Sequence, residues 1–175
     1  LFNPAGGYNS FVIPGLLIVI LQQTLLIGIG LLGGSERERR RRRFTVPGAL
    51  HSGAVMPVVF GKAGAYFFIY LINVVITQVW VYHWFDLPSK GEVLPVMALM
   101  VPFLLAVTFM GLAVSTFFLR REQSIIFMVF LSPLALFLSG LSWPASAIPA
   151  WLNVLAKLFP STTMVPAFLQ VRTMG

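Results

Sequence analysis

Apolar residues in this chain gather into four long runs, with polar residues crowded between them. The first run, 10–33, reads "SFVIPGLLIVILQQTLLIGIGLLG". The second, 62–84, reads "KAGAYFFIYLINVVITQVWVYHW", and the third, 93–119, "VLPVMALMVPFLLAVTFMGLAVSTFFL". The fourth, 124–141, is the shorter "SIIFMVFLSPLALFLSGL". At about 1.5 Å per residue, the first three are long enough to cross an apolar layer of about 30 Å, and the fourth is marginal. Backbone amides in such a layer must be satisfied within the protein. Helices do this, whereas a barrel needs alternating segments of about ten residues. The pattern predicts an all-α integral membrane protein, a polytopic helical bundle with four transmembrane helices.

The last stretch breaks the pattern. "SWPASAIPAWLNVLAKLFPSTTMVPAFLQVRTMG" (142–175) holds too many prolines to span. Ile148, Trp151, Leu152, Leu155 and Leu158 keep helical spacing, and Pro149 suits a first turn. Ser161 or Thr162 suits the cap of a second short helix containing Pro166. Two short helices fit an outer re-entrant or interfacial hairpin, with a plain loop as the alternative. Within the runs, Pro14 falls in a first turn, while Pro102 and Pro133 are expected to kink or interrupt their helices.

Composition supports the membrane class. Hydrophobic residues make up 58% of the 175 and charged residues 10%, and mean hydropathy is +0.89. A soluble domain carries about 25% charged residues. Cysteine is absent, which excludes a disulfide framework, a thiol nucleophile and a cysteine metal site. The chain starts at Leu1 with no basic segment before its first apolar run, so a fragment of a longer protein is expected rather than a signal peptide.

Charge then sets orientation. The connection between the first two runs carries Arg37, Arg39 to Arg43 and Lys62, and the next-but-one carries Arg120 and Arg121. The connection "FDLPSKGE" has Lys90 against Asp86 and Glu92, and the lead "LFNPAGGYN" has no charge. The excess of arginine places both basic connections in the cytoplasm and both chain ends outside. Trp80, Tyr82, Trp84 and Trp143 then fall near the outer boundary, as an aromatic belt does. The arginine run lies beside a membrane span and lacks interleaved aromatics, so nucleic acid is not the expected partner.

Two phosphate-binding motifs fail on context. "GIGLLG" lies inside an apolar run, not between a strand and a helix. Its glycines, with Gly30 and Gly34 at GxxxG spacing, suit close helix contact, and Gly111 and Ser115 repeat the pattern. "FGKAG" lacks both the upstream glycine, since position 56 is Met56, and the Ser or Thr after Lys62. His51 and His83 fall on opposite sides and cannot share a metal. No catalytic, cofactor or metal residue is expected. No ionisable residue lies deep in any run, whereas ion-coupled carriers and voltage sensors usually need one there. Span polarity comes from Gln22, Gln23, Thr24, Asn73, Thr77, Gln78, Thr108, Ser115, Thr116, Ser132 and Ser139. These can hydrogen-bond between helices, and Gln22, Gln23, Asn73, Thr77 and Gln78 are also candidates for lining a translocation path.

Several stretches resemble the permease subunit of ABC exporters of the type-2 class, which includes multidrug and lipid-linked exporters. "FNPAGGYNSFVIPGLL" looks like that family's lead into its second membrane helix, and "GGSERE" like that helix's cytoplasmic end. "FTVPG" followed by "FGKAGAYFFIYLI" is similar to the loop with a "TP" element and then "GK" before the third helix. "LSGLSWPASAIPAWLNVLAKLFPSTTMVPAFLQVRTMG" is similar to the end of the fifth helix and its outer re-entrant hairpin. The resemblance covers nearly the whole chain, and the order and spacing of the motifs carry it.

It implies a single permease domain over 1–175, with a cytoplasmic coupling loop at 34–61 and an outer hairpin at 142–175. The first and last membrane helices of a six-helix subunit would be missing. It also implies a dimer with a second permease copy or paralogue, set in a bacterial-type inner membrane, with ATP and Mg bound by a separate cytoplasmic ATPase. Such a subunit is no enzyme; it moves an amphipathic or hydrophobic compound outward. Glu36, Arg37, Glu38, Thr45 and Pro47 fall on the family's ATPase-coupling positions. Where the family commonly continues with "GT-x-E", this chain has Arg39 to Arg43 and Phe44, a run also suited to anionic lipid head groups. The readings from other classes are a non-transporting membrane scaffold or assembly protein, and an ion-coupled carrier or channel.

The orientation is testable in this cysteine-free chain. Cysteines placed singly at Ala49 and Ser89 should react with an impermeant thiol reagent from opposite sides of intact cells. Labelling of both from one side would contradict the topology.

Overall fold

The computed structural model describes residues 8–42, 55–84, 93–139 and 149–174. These form six helices: α1 (Tyr8–Arg42), α2 (Val55–Trp84), α3 (Val93–Ser115), α4 (Arg121–Leu138), α5 (Ala150–Ala156) and α6 (Pro160–Met174). The first four contain apolar segments able to cross a membrane: Val12–Arg39, Met56–Thr77, Leu94–Ser115 and Arg121–Leu138. The all-helical bundle expected from the apolar runs is therefore present.

Helix α1 is central. Of its most apolar stretch 56% is buried, against 11% for α2. α1 packs on α3, α4 and α6, while α2 leans mainly on α3. The core joins Ile18, Leu25, Leu26 and Ile29 of α1 to Met100, Leu104 and Val107 of α3, with Met128 of α4 and Phe168 of α6. Phe68, Ile69, Ile72, Ile76 and Trp80 of α2 face outward, as residues against lipid or a partner do.

Lipid offers little hydrophobic drive for helix association, so close packing must supply it. Glycines on α1 allow that approach. A Cβ at Gly34 would stand 2.9 Å from the backbone of Arg120 and Arg121, which cannot yield. One at Gly30 would overlap the Ser124 hydroxyl at 2.0 Å. Gly30 and Gly34 thus seat α1 against the start of α4. On the neighbouring face, Gly33 meets Ser115, and Gly111 meets Ile29, which seats α3. The small-residue reading of "GIGLLG" holds at Gly30 and Gly33, whereas Gly28 has open space around it.

Three expectations change. Of the kink or interruption expected at Pro102 and Pro133, interruption does not occur, because α3 and α4 continue through them. Residues 34–42 and 55–61, expected in the connecting loop, extend α1 and α2 as helix. Glu and Arg are good helix formers, so leaving the apolar layer does not end α1. Ser161 and Thr162 do not cap α6 with their side chains, because the helix already starts at Pro160.

Two short helices stand where the hairpin was expected, α5 and α6, and both pack on the bundle. α5 packs through Ala156 onto Ala135 and Leu138 at the far end of α4, with Phe159 beside them. α6 then buries Met164, Val165, Phe168 and Leu169 against the core. Its first turn lies beside Gln22, near the middle of α1's apolar run.

Gly34→Leu should destabilise the fold by about 1–3 kcal/mol, as overpacking against a backbone does. Gly28→Ala should be neutral or slightly stabilising. Thermal unfolding in detergent, read by size-exclusion recovery, checks both; equal midpoints for the two variants would contradict the packing account.

Candidate functional site

Charged residues of α1, α2 and α4 and the turn after α3 converge on one end of the bundle. Glu36 and Arg37 are neighbours near the end of α1, yet they face different partners. The Glu36 carboxylate pairs with the Lys62 ammonium on α2. The Arg37 guanidinium donates to the carbonyls of Thr116 and, at 3.2 Å, Phe118.

The sequence explains why Arg37 finds acceptors there. α3 stops at Ser115, and carbonyls past a helix end lack partners within the helix. The turn tightens as the N–H groups of Thr116, Phe117 and Phe118 donate to Ala113, Val114 and Ser115. Thr116 and Phe118 still present their own carbonyls, and the arginine fork covers both. On the far side of the turn, Gln123 accepts from the N–H groups of Leu119 (2.9 Å) and Arg120 (3.2 Å), which starts α4. Adjacent residues of α1 therefore tie α2 on one side and the α3–α4 turn on the other.

The magnitudes differ. Lys62 and Glu36 are 40% and 39% exposed, so their pair contributes at most about 1 kcal/mol. Arg37 makes charge-assisted bonds to backbone, at about 1.5–3 kcal/mol each before screening. Arg37 thus holds two carbonyls of one turn. A cleft of about 650 Å³ opens beside them, lined by Glu36, Glu38, Arg39, Lys62, Tyr66 and Arg121.

The predicted coupling residues divide accordingly. Glu36, Arg37 and Glu38 share this end, while Thr45 and Pro47 lie outside the described residues. Lys62 and the turn carbonyls of Thr116 and Phe118 were not foreseen as part of the site. Opposite charges at the facing ends of consecutive apolar runs, Glu36 just after the first and Lys62 at the start of the second, were a signal for the first pair. Backbone carbonyls leave no mark in a sequence.

The candidate path residues do not form one set. Gln22 and Gln23 are buried in the bundle. Asn73 is exposed on α2, and the Thr77 hydroxyl donates back to the Asn73 carbonyl at 2.8 Å. Gln78 continues the same helix. The expectation that span hydroxyls bond between helices is also corrected. Thr24, Thr108, Ser115, Thr116, Ser132 and Ser139 donate to carbonyls three or four residues back on their own helices. In apolar surroundings that nearby acceptor is reached without ordering a second helix.

Gln22 behaves differently. Its Oε1 accepts the Ser161 N–H of α6 at 2.8 Å, across 139 residues of sequence. Its Nε2, both polar atoms of Gln23, and the hydroxyls of Ser124, Ser161 and Thr162 are buried without partners. Each such group costs about 1–3 kcal/mol if nothing serves it. All the polar residues buried among the described ones are uncharged: Gln22, Gln23, Thr108, Ser115, Ser124, Ser139 and Ser161. Of the histidines, His83 is exposed at the end of α2, and His51 lies outside the described residues.

The arrangement is mechanical: a charged end that ties three segments, and a neutral interior. A family model described as ABC-2 family transporter protein matches residues 1–175. No curated protein and no solved structure matches the chain. Such permease domains are typically the non-catalytic, multi-pass transmembrane part of a transporter. With four apolar helices, a neutral core and a family match over its whole length, the chain belongs to the ABC-2 family of transporter proteins, as a membrane permease domain.

Proposed function

We propose that this chain is the membrane-spanning permease subunit of an ATP-driven exporter in a bacterial-type inner membrane. It moves an amphipathic or hydrophobic compound outward, and a second permease copy or paralogue completes the path. ATP with Mg is bound and hydrolysed by a cytoplasmic ABC ATPase. Permeases of this family generally pair with such subunits.

The observation that carries the reading is the double tie at the end of α1. The arginine-rich segment leaves from this end, and the positive-inside bias assigns the end to the cytoplasm. A displacement of that segment by an ATPase would act on α2 through Glu36–Lys62 and on the α3–α4 turn through Arg37. Three spans would then respond together. The uncharged interior supports a passive path whose energy comes from the partner rather than from ion coupling. Gln22 and Gln23 are the path candidates best supported by position, whereas Asn73 and Thr77 sit on the outward-facing side of α2. That side fits contact with lipid or the second permease.

The coupling is tested in vesicles containing permease and ATPase. Arg37→Ala should lower ATP-driven export roughly tenfold, the equivalent of one charge-assisted bond, with insertion intact. Glu36→Lys should lower it about two- to fivefold, and adding Lys62→Glu should restore most of the loss. Export unchanged in Arg37→Ala, with ATPase still bound, would contradict this route.

A further inference from the structure

The start of α6 is an unusual place for a helix end. Gln22 lies about 15 Å along α1 from Val12 and about 18 Å from Gly34, near the middle of the apolar layer. A helix that begins at this depth cannot give its first amides to water. Phe159 offers no capping oxygen, and Pro160 has no N–H. The Ser161 N–H is therefore the first donor of α6, and its acceptor comes from α1, the Gln22 Oε1. Gln22 thus does in trans what a capping side chain does within one helix.

The junction is only half made. The Gln22 Nε2 and the Ser161 hydroxyl are fully enclosed and unpartnered. Separation of α6 from α1 would give these groups water, while closure gives them apolar packing. The terms oppose each other, and the unpartnered groups lower the cost of parting. α6 is also weakened within: Pro166 cannot donate to the Thr162 carbonyl. The segment that would move with it, α5, touches α4 through a small cluster, Ala135, Leu138, Ala156 and Phe159.

We propose that Gln22 is a positioning residue, a mid-membrane latch that holds the inserted start of α6. Parting of the latch opens the outer half of the bundle to water during the cycle. The second statement rests on the transport reading above; the first does not.

The chain has no cysteine, so a single probe is clean. Ser161→Cys keeps the backbone N–H and leaves the latch intact. In vesicles containing permease and ATPase, this cysteine should react slowly with a small water-soluble methanethiosulfonate. Adding Gln22→Met, which has a similar shape and no oxygen acceptor, should raise the rate about tenfold. Adding Gln22→Asn, uncharged and still an oxygen acceptor, should give a rate between the two. Equal rates in all three would overturn the latch.

A second variant covers poor folding of Gln22→Met. With Gln22→Cys and Ser161→Cys, a short reversible thiol cross-linker should stop ATP-driven export, and reductant should restore it. Undiminished export with the link closed would overturn the parting step. The labelling requires no transport. A permease that exports nothing while labelling as expected would contradict the transport reading and uphold the latch.

Discussion

Close backbone approach along one helix organises this protein. Lipid contributes little to helix association, so α1 must gain its contacts by proximity. Gly30 and Gly34 let it touch the start of α4, and Gly33 with Gly111 lets it touch α3. A larger residue at Gly34 meets backbone, which cannot move aside. The arrangement places α1 at the centre and leaves α2 at the margin, with most of its apolar surface outward.

The consequences run along α1 in both directions from that stripe. Towards the basic end, Glu36 and Arg37 emerge together and reach α2 and the α3–α4 turn. Towards the other end, Gln22 supplies the acceptor that α6 lacks. Packing, the ties to α2 and the α3–α4 turn, and the bond to α6 thus sit on a single helix. About four helical turns of α1 separate Arg37 from Gln22. One helix thus joins the charged end to the start of α6, and its contacts are few enough to alter one at a time.

Much of this was legible in residues. Uncharged runs of span length gave the helices because the bilayer leaves the backbone no other economical solution. GxxxG spacing pointed to Gly30 and Gly34, and the arginine-bearing segments pointed to a shared end. The tertiary partners were not legible. The sequence offers many polar residues in its spans and no means of telling that hydroxyls would turn back on their own helices while Gln22 would cross to α6. The depth of α6 was hidden for a related reason. Proline-broken segments carry no length signal, so "FPSTTMVPAF" reads alike whether it lies on a surface or inside a bundle. Arg37 was named for its motif position, but its acceptors are backbone carbonyls, which sequence does not encode.

The central claim is that this neutral bundle is driven by a partner engaged at its charged end. The most direct measurement is purification of the full-length permease in mild, lipid-supplemented detergent, with identification of the proteins that accompany it. A stoichiometric ABC ATPase should accompany it, with a hydrolysis rate that changes when the permease is present. Repeated recovery of the folded permease with no ATPase would contradict that claim and favour a membrane scaffold instead.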